Sequence, residues 1–331
     1  MKPRWDRDNF GQVAVYRLGL IVSDVVTLIA LWWLLGKMQP TQRLRGFLLF
    51  AWNPLILFDI SANAHNDSPM LALLLLGFAP LASTQEPSRR RWLIAIGMSV
   101  VGGLVKYATG VASLLMTAAC VAGATCWRER LLRLGLVAVV GLGIAVVLWW
   151  PWLGAPDALV PILDAAGGRL VLNSAPDVVA VFAAERLGLP LAEARVWARF
   201  VARAAFGLYL VGEVWRLWPV ARRGGRDALL ATVRASARAM LLLPLVVLTW
   251  VWSWYFSWSL ALVALLGWRS GLTWLVVGYT LIVLPIVYAH QYLGDQFPAA
   301  LVLVMALGPP VLAFASRELL AVRRVAVELR W

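Results

Sequence analysis

Eleven apolar stretches run along the chain, at about 15–36, 46–60, 69–84, 92–105, 108–125, 133–152, 196–218, 235–252, 255–268, 271–289 and 298–316, with short polar or basic segments between them. A backbone placed in hydrocarbon must satisfy its own hydrogen bonds, which leaves helices as the structure these stretches can take. The side chains agree: 62% of the residues are hydrophobic and 14% charged, with a mean hydropathy of +0.78, too apolar for a domain surrounded by water. The expected fold is therefore all-α, one polytopic transmembrane bundle over residues 1–331 with about eleven spans. Several stretches fall short of the roughly 20 residues that cross a bilayer core. Pro54 and the pair Gly102-Gly103 are the expected points of distortion.

The net charge of +13 would suggest a nucleic-acid partner in a soluble protein, but the basic residues lie in clusters between apolar stretches. Clusters of that kind mark cytoplasmic loops against anionic lipid, so the partner read from charge is the bilayer, and nucleic acid is excluded. The clusters are Lys37/Arg43/Arg45, Arg89/Arg90/Arg91, Arg128/Arg130/Arg133, Arg222/Arg223/Arg226, Arg269, and a tail from Arg317 to Arg330. If all share one side, each intervening segment is a hairpin, with the N-terminus outside and the C-terminus inside. Cys120 and Cys126 have no companions at metal-ligand spacing and read as buried free thiols. Residues 1–17 lack the apolar core and small-residue cleavage site of a cleavable signal. Residues 153–195 form the one long external segment, expected to be a loop carrying interfacial amphipathic helices.

The hairpin apices then gather the polar chemistry on the outer side. The densest set is Asp59, Ser61, Asn63, His65, Asn66, Asp67 and Ser68. Two carboxylates and an imidazole can bind sugar hydroxyls, hold a divalent cation or exchange protons. Asn63, Asn66 and Ser68 could instead only cap the helix that begins near Pro69, which would leave His65 and Asp59 unexplained. Lys106, followed by Tyr107, has no acidic neighbour in sequence, and a turn there spares the cost of an ammonium in mid-membrane. Such an isolated external cation suits a lipid-borne phosphate better than it suits snorkelling. The apex from Trp252 to Trp258 is an aromatic belt or a stacking surface for sugar and prenyl groups. Asp6 and Asp8, separated by Arg7, form a weak external acidic pair, and His290, Asp295 and Gln296 a polar turn.

The string from Phe50 through Trp52-Asn53-Pro54 to Asp59, then Asn63-Ala-His65-Asn66-Asp67, then Leu104-Val-Lys106-Tyr107 resembles the GT-C glycosyltransferases. Within them it is similar to the bacterial polyprenol-phosphate-mannose-dependent mannosyltransferases, including the relatives of family 87. Trp254-Tyr255 matches a later Pro-Trp-Tyr turn of that group, with Ser253 where proline is usual. The resemblance covers about residues 15–268, and 270–331 adds only hydrophobic helices.

The resemblance implies a hexosyltransferase of the plasma (inner) membrane. It would transfer a sugar, by analogy mannose, with inversion from a polyprenyl phosphate to a glycan, lipid or protein acceptor at the extracytoplasmic face. On the matched positions Asp59, His65 and Asp67 are the expected catalytic residues, and Asn63, Asn66, Lys106, Tyr107, Trp254 and Tyr255 bind substrate, with Lys106 toward the phosphate. No metal ligand set is specified. The family's general base usually lies in an external loop after an earlier helix, so the chain reads as truncated at its N-terminus, with the base missing or replaced by Asp6 or Asp8. Two rival readings stand beside this one: an inactive truncated homologue, and a transporter or flippase. The latter would place charges in mid-helix on two similar halves, but no duplication is visible and only Asp24, Arg199, Arg203 and Glu213 fit.

Overall fold

The structure is a computed structural model and describes residues 7–152, 154, 174–249 and 251–293. It is all-helical, with no strand among the described residues. The α-helices are α1 (Arg7–Met38), α2 (Arg43–Ala51), α3 (Asp67–Ala82), α4 (Arg89–Val105), α5 (Ala108–Ala122) and α6 (Trp127–Trp149). They continue with α7 (Ala175–Leu187), α8 (Leu191–Arg223), α9 (Gly225–Leu242), α10 (Ser257–Ala264) and α11 (Gly271–Leu293). Ten of the eleven apolar stretches fall on these helices, and 298–316 lies outside the described residues.

Among the described residues four segments are long and apolar enough to cross a membrane: Gly11–Met38, Trp127–Trp152, Gly225–Val247 and Gly271–Ala289. A fifth candidate is the bent pair Pro40–Ala51 and Ile56–Ala62. The chain is accordingly a multi-pass membrane protein. α3 and α5 are apolar but short, about 24 and 22 Å at 1.5 Å per residue. α10, about 12 Å long, does not cross on its own; each of its eight residues is buried among α2, α3, α9 and α11. At the other extreme α6 packs on α4 and α5 yet has no buried residue.

The Trp52-Asn53-Pro54 sequence makes the break after α2. Pro54 lacks the N–H that would continue the helix. The Asn53 side chain steps in, accepting from the Leu55 N–H at 3.0 Å and donating to Thr280 of α11 at 2.9 Å. The chain leaves this break at 65° as a π-helical turn over Ile56–Ala62. Gly102-Gly103 does not distort its helix, contrary to expectation: α4 runs on to Val105, and a Cβ on Gly102 would sit 3.0 Å from Thr109 Oγ1. Close packing against α5 explains that glycine.

α7 occupies the later part of the 153–195 segment, and α8 begins at Leu191. Ser174 caps α7 by accepting the Asp177 N–H, and Asp177 in turn binds Arg195 of α8 at 2.7 Å. The α8–α9 corner uses Gly224 at φ +73°, where a Cβ would also press on Glu86. Cys120 is buried as expected, whereas Cys126 is exposed, standing just before α6.

Candidate functional site

Three loops meet where the sequence places its polar apices. The π-helical turn carries Asp59, the following turn carries Asn63, His65 and Asn66, and α3 opens with Asp67 and Ser68. The turn passes through Ala64 at φ +57°, a conformation an L-residue adopts at a cost of about 1 kcal/mol. It brings His65 back beside Asp67. α4 ends at Val105, Lys106 takes an extended backbone, and α5 starts at Ala108, so Lys106 stands at a turn as its charge requires. The third loop is the 3-10 turn Ser253–Phe256 leading into α10.

Lys106 and Asp67 form the centre. The ammonium donates to both carboxylate oxygens, at 2.9 and 2.7 Å, and Trp258 Nε1 donates to Oδ1. Lys106 Nζ lies 4.7 Å from the Tyr255 ring centre and 5.4 Å from that of Trp258, so two aromatic faces enclose the cation. Tyr107 meets Trp258 edge-on at 6.2 Å. Sequence shows Lys106 without an acidic neighbour; the fold supplies one. Asp67 is fully buried and Lys106 keeps 13% of its side chain exposed, so the lysine is the member of the pair that reaches the surface. Burial pushes the Lys106 amine below its ordinary value, with Asp67 pulling the other way. The Tyr107 hydroxyl is pushed up to about 12, first by burial and then by the Asp67 charge.

Beside this pair His65 stacks on Trp254 with ring centres 3.8 Å apart, and Trp254 stacks on Trp252 at 4.8 Å. Burial holds the imidazole below its usual value, although Asp67 and Asp59 both favour its protonated form. Asp59, fully buried, accepts from Tyr288 OH at 2.8 Å and from Ser253 Oγ. Asn63 donates to the same Tyr288 hydroxyl at 2.7 Å. Ser68 Oγ donates to Asp24 of α1 at 2.6 Å, and Thr27 Oγ1 reaches the Ser68 carbonyl at 3.4 Å.

Capping does not account for the polar turn. Asn66 is the N-cap of α3, yet its side chain makes no capping bond and is exposed, while Asn63 and Ser68 spend theirs on Tyr288 and Asp24. The expected residues Asp59, Asn63, His65, Asp67, Lys106, Tyr107, Trp254 and Tyr255 thus come together, with Asn66 on the rim. Asp6, Asp295 and Gln296 lie outside the described residues, as do the side chains of Asp8 and His290. Sequence reasoning noted Asp24, Ser253 and the apex ending at Trp258 without giving these three residues a role in the site, and it missed Tyr288 altogether. Trp258 lies one helical turn after Trp254, a signal hidden in a run of seven mostly aromatic residues. Tyr288 carries no local signal. Ser253, standing where the related turn has proline, is the residue that binds Asp59.

No three of His, Cys, Asp and Glu gather as a metal-binding group among the described residues. Asp59 and Asp67 already hold donors on both oxygens. These side chains do not fit a divalent cation, and no chemistry is assigned to one.

Residues 5–123 match the family model of the alpha-(1->6)-mannopyranosyltransferase N-terminal domain. The match is in keeping with the sequence resemblance. The match takes in Asp59, His65, Asp67 and Lys106, and ends before the Trp254 turn that closes over them. No curated protein and no solved structure matches the chain.

Proposed function

We propose that this chain is a membrane glycosyltransferase that moves a mannosyl group from a polyprenyl phosphate to an acceptor hydroxyl at the outer face of the membrane. The observation that carries the reading is the Lys106–Asp67 pair roofed by Tyr255 and Trp258, with His65 stacked beside it. The departing group in such a transfer is a phosphate whose charge grows as the glycosidic bond breaks. A cation fixed beforehand beside that position stabilises the transition state without having to reorganise. Asp67 aims the Lys106 amine and Trp258 fixes Asp67, leaving the open side of the amine for a phosphate oxygen. His65, neutral at neutral pH because of its burial, offers one donor and one acceptor to sugar hydroxyls. Trp254 and Tyr255, whose faces are taken by His65, Trp252 and Lys106, form an aromatic wall whose edges would meet a sugar ring or the first prenyl unit. Asp59, through Ser253 and Tyr288, holds the two loops against α11. Inversion at the anomeric carbon and the plasma membrane location belong to the same reading, supported by the family match and the apolar helices.

The test is transfer from polyprenyl phosphate mannose by membranes that contain the protein. His65→Ala, Asp67→Asn and Lys106→Ala should each abolish it at unchanged protein level. Wild-type rates in all three would remove the site from the mechanism. Uptake of a labelled solute into vesicles without any glycosylated product would favour a transporter instead.

A further inference from the structure

Among the described residues the site holds three carboxylates, and they differ in what is left for a substrate. Asp67 is fully buried, with Lys106 on both oxygens and Trp258 on one. Asp59 is fully buried, with Tyr288 on one oxygen and Ser253 on the other. Both are closed off from any surface a new hydroxyl could arrive by. Asp24 is different: it is half-buried, and the α1 surface around it is open, with Ile21 and Val22 each 55% exposed and Val25 49%. Ser68 donates to its Oδ1, and Ser61, itself exposed, lies within hydrogen-bonding reach. An exposed serine hydroxyl yields readily to the hydroxyl of a ligand. A carboxylate within an apolar helix is costly and persists where it works. Asp24 is also bound to the residue next to Asp67, which places it beside the Lys106 pair but not within it.

Resting on the transferase reading, we propose that Asp24 is the general base, the carboxylate that faces the acceptor and takes its proton. The acceptor oxygen bonds to the anomeric carbon while the bond from that carbon to the phosphate oxygen breaks. The electron pair of the broken bond leaves on the polyprenyl phosphate, beside Lys106, and the acceptor proton passes to Asp24. Ser68, at the first turn of α3, fixes the carboxylate rotamer and so positions the base.

The variant that tests this is Asp24→Asn, which keeps an oxygen to accept from Ser68 and so keeps the link between α1 and α3. The full chain in detergent would be given short-chain polyprenyl phosphate mannose, with octyl α-mannopyranoside as acceptor. Product formation and the thermal shift caused by the donor alone are both read. The variant should show the donor shift of the wild type and a kcat lower by about a hundredfold or more, the usual worth of a positioned base. Transfer within about threefold of wild type would overturn the assignment. So would loss of the donor shift together with the rate, which would make Asp24 a structural pin. A wild type that binds donor yet transfers to neither the mannoside nor water would also overturn it, since a competent base would then be absent. A wild type showing neither donor shift nor transfer would bring down the transferase reading itself.

Discussion

A lysine removed from water needs a counter-charge, and Lys106 finds one 39 residues earlier in the chain, on a different helix. The pair is asymmetric, and the asymmetry predicts unequal costs. Lys106→Gln leaves the fully buried Asp67 charge with no counter-charge, only neutral donors such as the Trp258 N–H. Asp67→Asn leaves an ammonium that is 13% exposed and still faces two aromatic rings. Breaking a buried pair from one side costs about 3–5 kcal/mol, and removing both charges costs less. Thermal unfolding in detergent should therefore rank Lys106→Gln below Asp67→Asn, with the double variant above Lys106→Gln; additive losses would mean that the pair does not couple. His65 supplies a second prediction at this scale. Its folded value lies below the unfolded 6.5, so the fold binds a proton less tightly than the unfolded chain does. The contribution to stability is then complete above about pH 6.5 and is lost as pH falls through the lower folded value. Wild type should lose more thermal stability than His65→Gln between pH 7 and about pH 5, and an equal loss would remove His65 as the cause.

Among the helices, the break after α2 decides where Asp59 stands. The sequence makes the break legible, since proline cannot continue a helix, and the structure adds that Asn53 accepts the Leu55 N–H at the break and fastens it to Thr280. Pro54→Ala restores the N–H and the helical option, so the turn over Ile56–Ala62 should straighten and draw Asp59 away from Ser253 and Tyr288. The expected result is a loss of activity larger than the loss of thermal stability, and unchanged activity would show that the bend does not place the site. Gly46 tests the same element from its packing. A Cβ there would lie 2.7 Å from a Leu35 methyl and 2.9 Å from the Ala264 carbonyl, so α2 is wedged between α1 and α10. Gly46→Ala should cost about 1–3 kcal/mol by overpacking, read as a lower unfolding midpoint. Local patterning reveals helices, breaks and turns well, because each depends on neighbours in sequence. It could not reveal that Ser253 and Tyr288 serve Asp59 from 194 and 229 residues away, nor that the 255–268 stretch shortens to an eight-residue buried helix.

For the molecule as a whole, the arrangement of charge and the arrangement of chemistry should be opposite ends of one bundle. Hairpins between basic clusters predict that the His65 and Lys106 turns share a side, and the fold puts them in contact through Asp67. Which side of the membrane they face rests on the basic clusters, and a native residue allows it to be read. Cys126 is an exposed thiol between α5 and α6, next to Arg128, Arg130 and Arg133, whereas Cys120 is buried. Asn66, exposed on the rim of the site, offers the matching position at the other end. α5 runs between the two turns and buries one face against α8 and α9, so the Lys106 turn and Cys126 cannot meet on one surface. Intact cells treated with a membrane-impermeant maleimide should label Asn66→Cys in a Cys126→Ser background and leave Cys126 of the wild type unlabelled. Permeabilised cells should label both. Labelling of Cys126 from outside would reverse the orientation and put the Lys106 amine on the cytoplasmic side, where an extracytoplasmic lipid-linked sugar could not reach it.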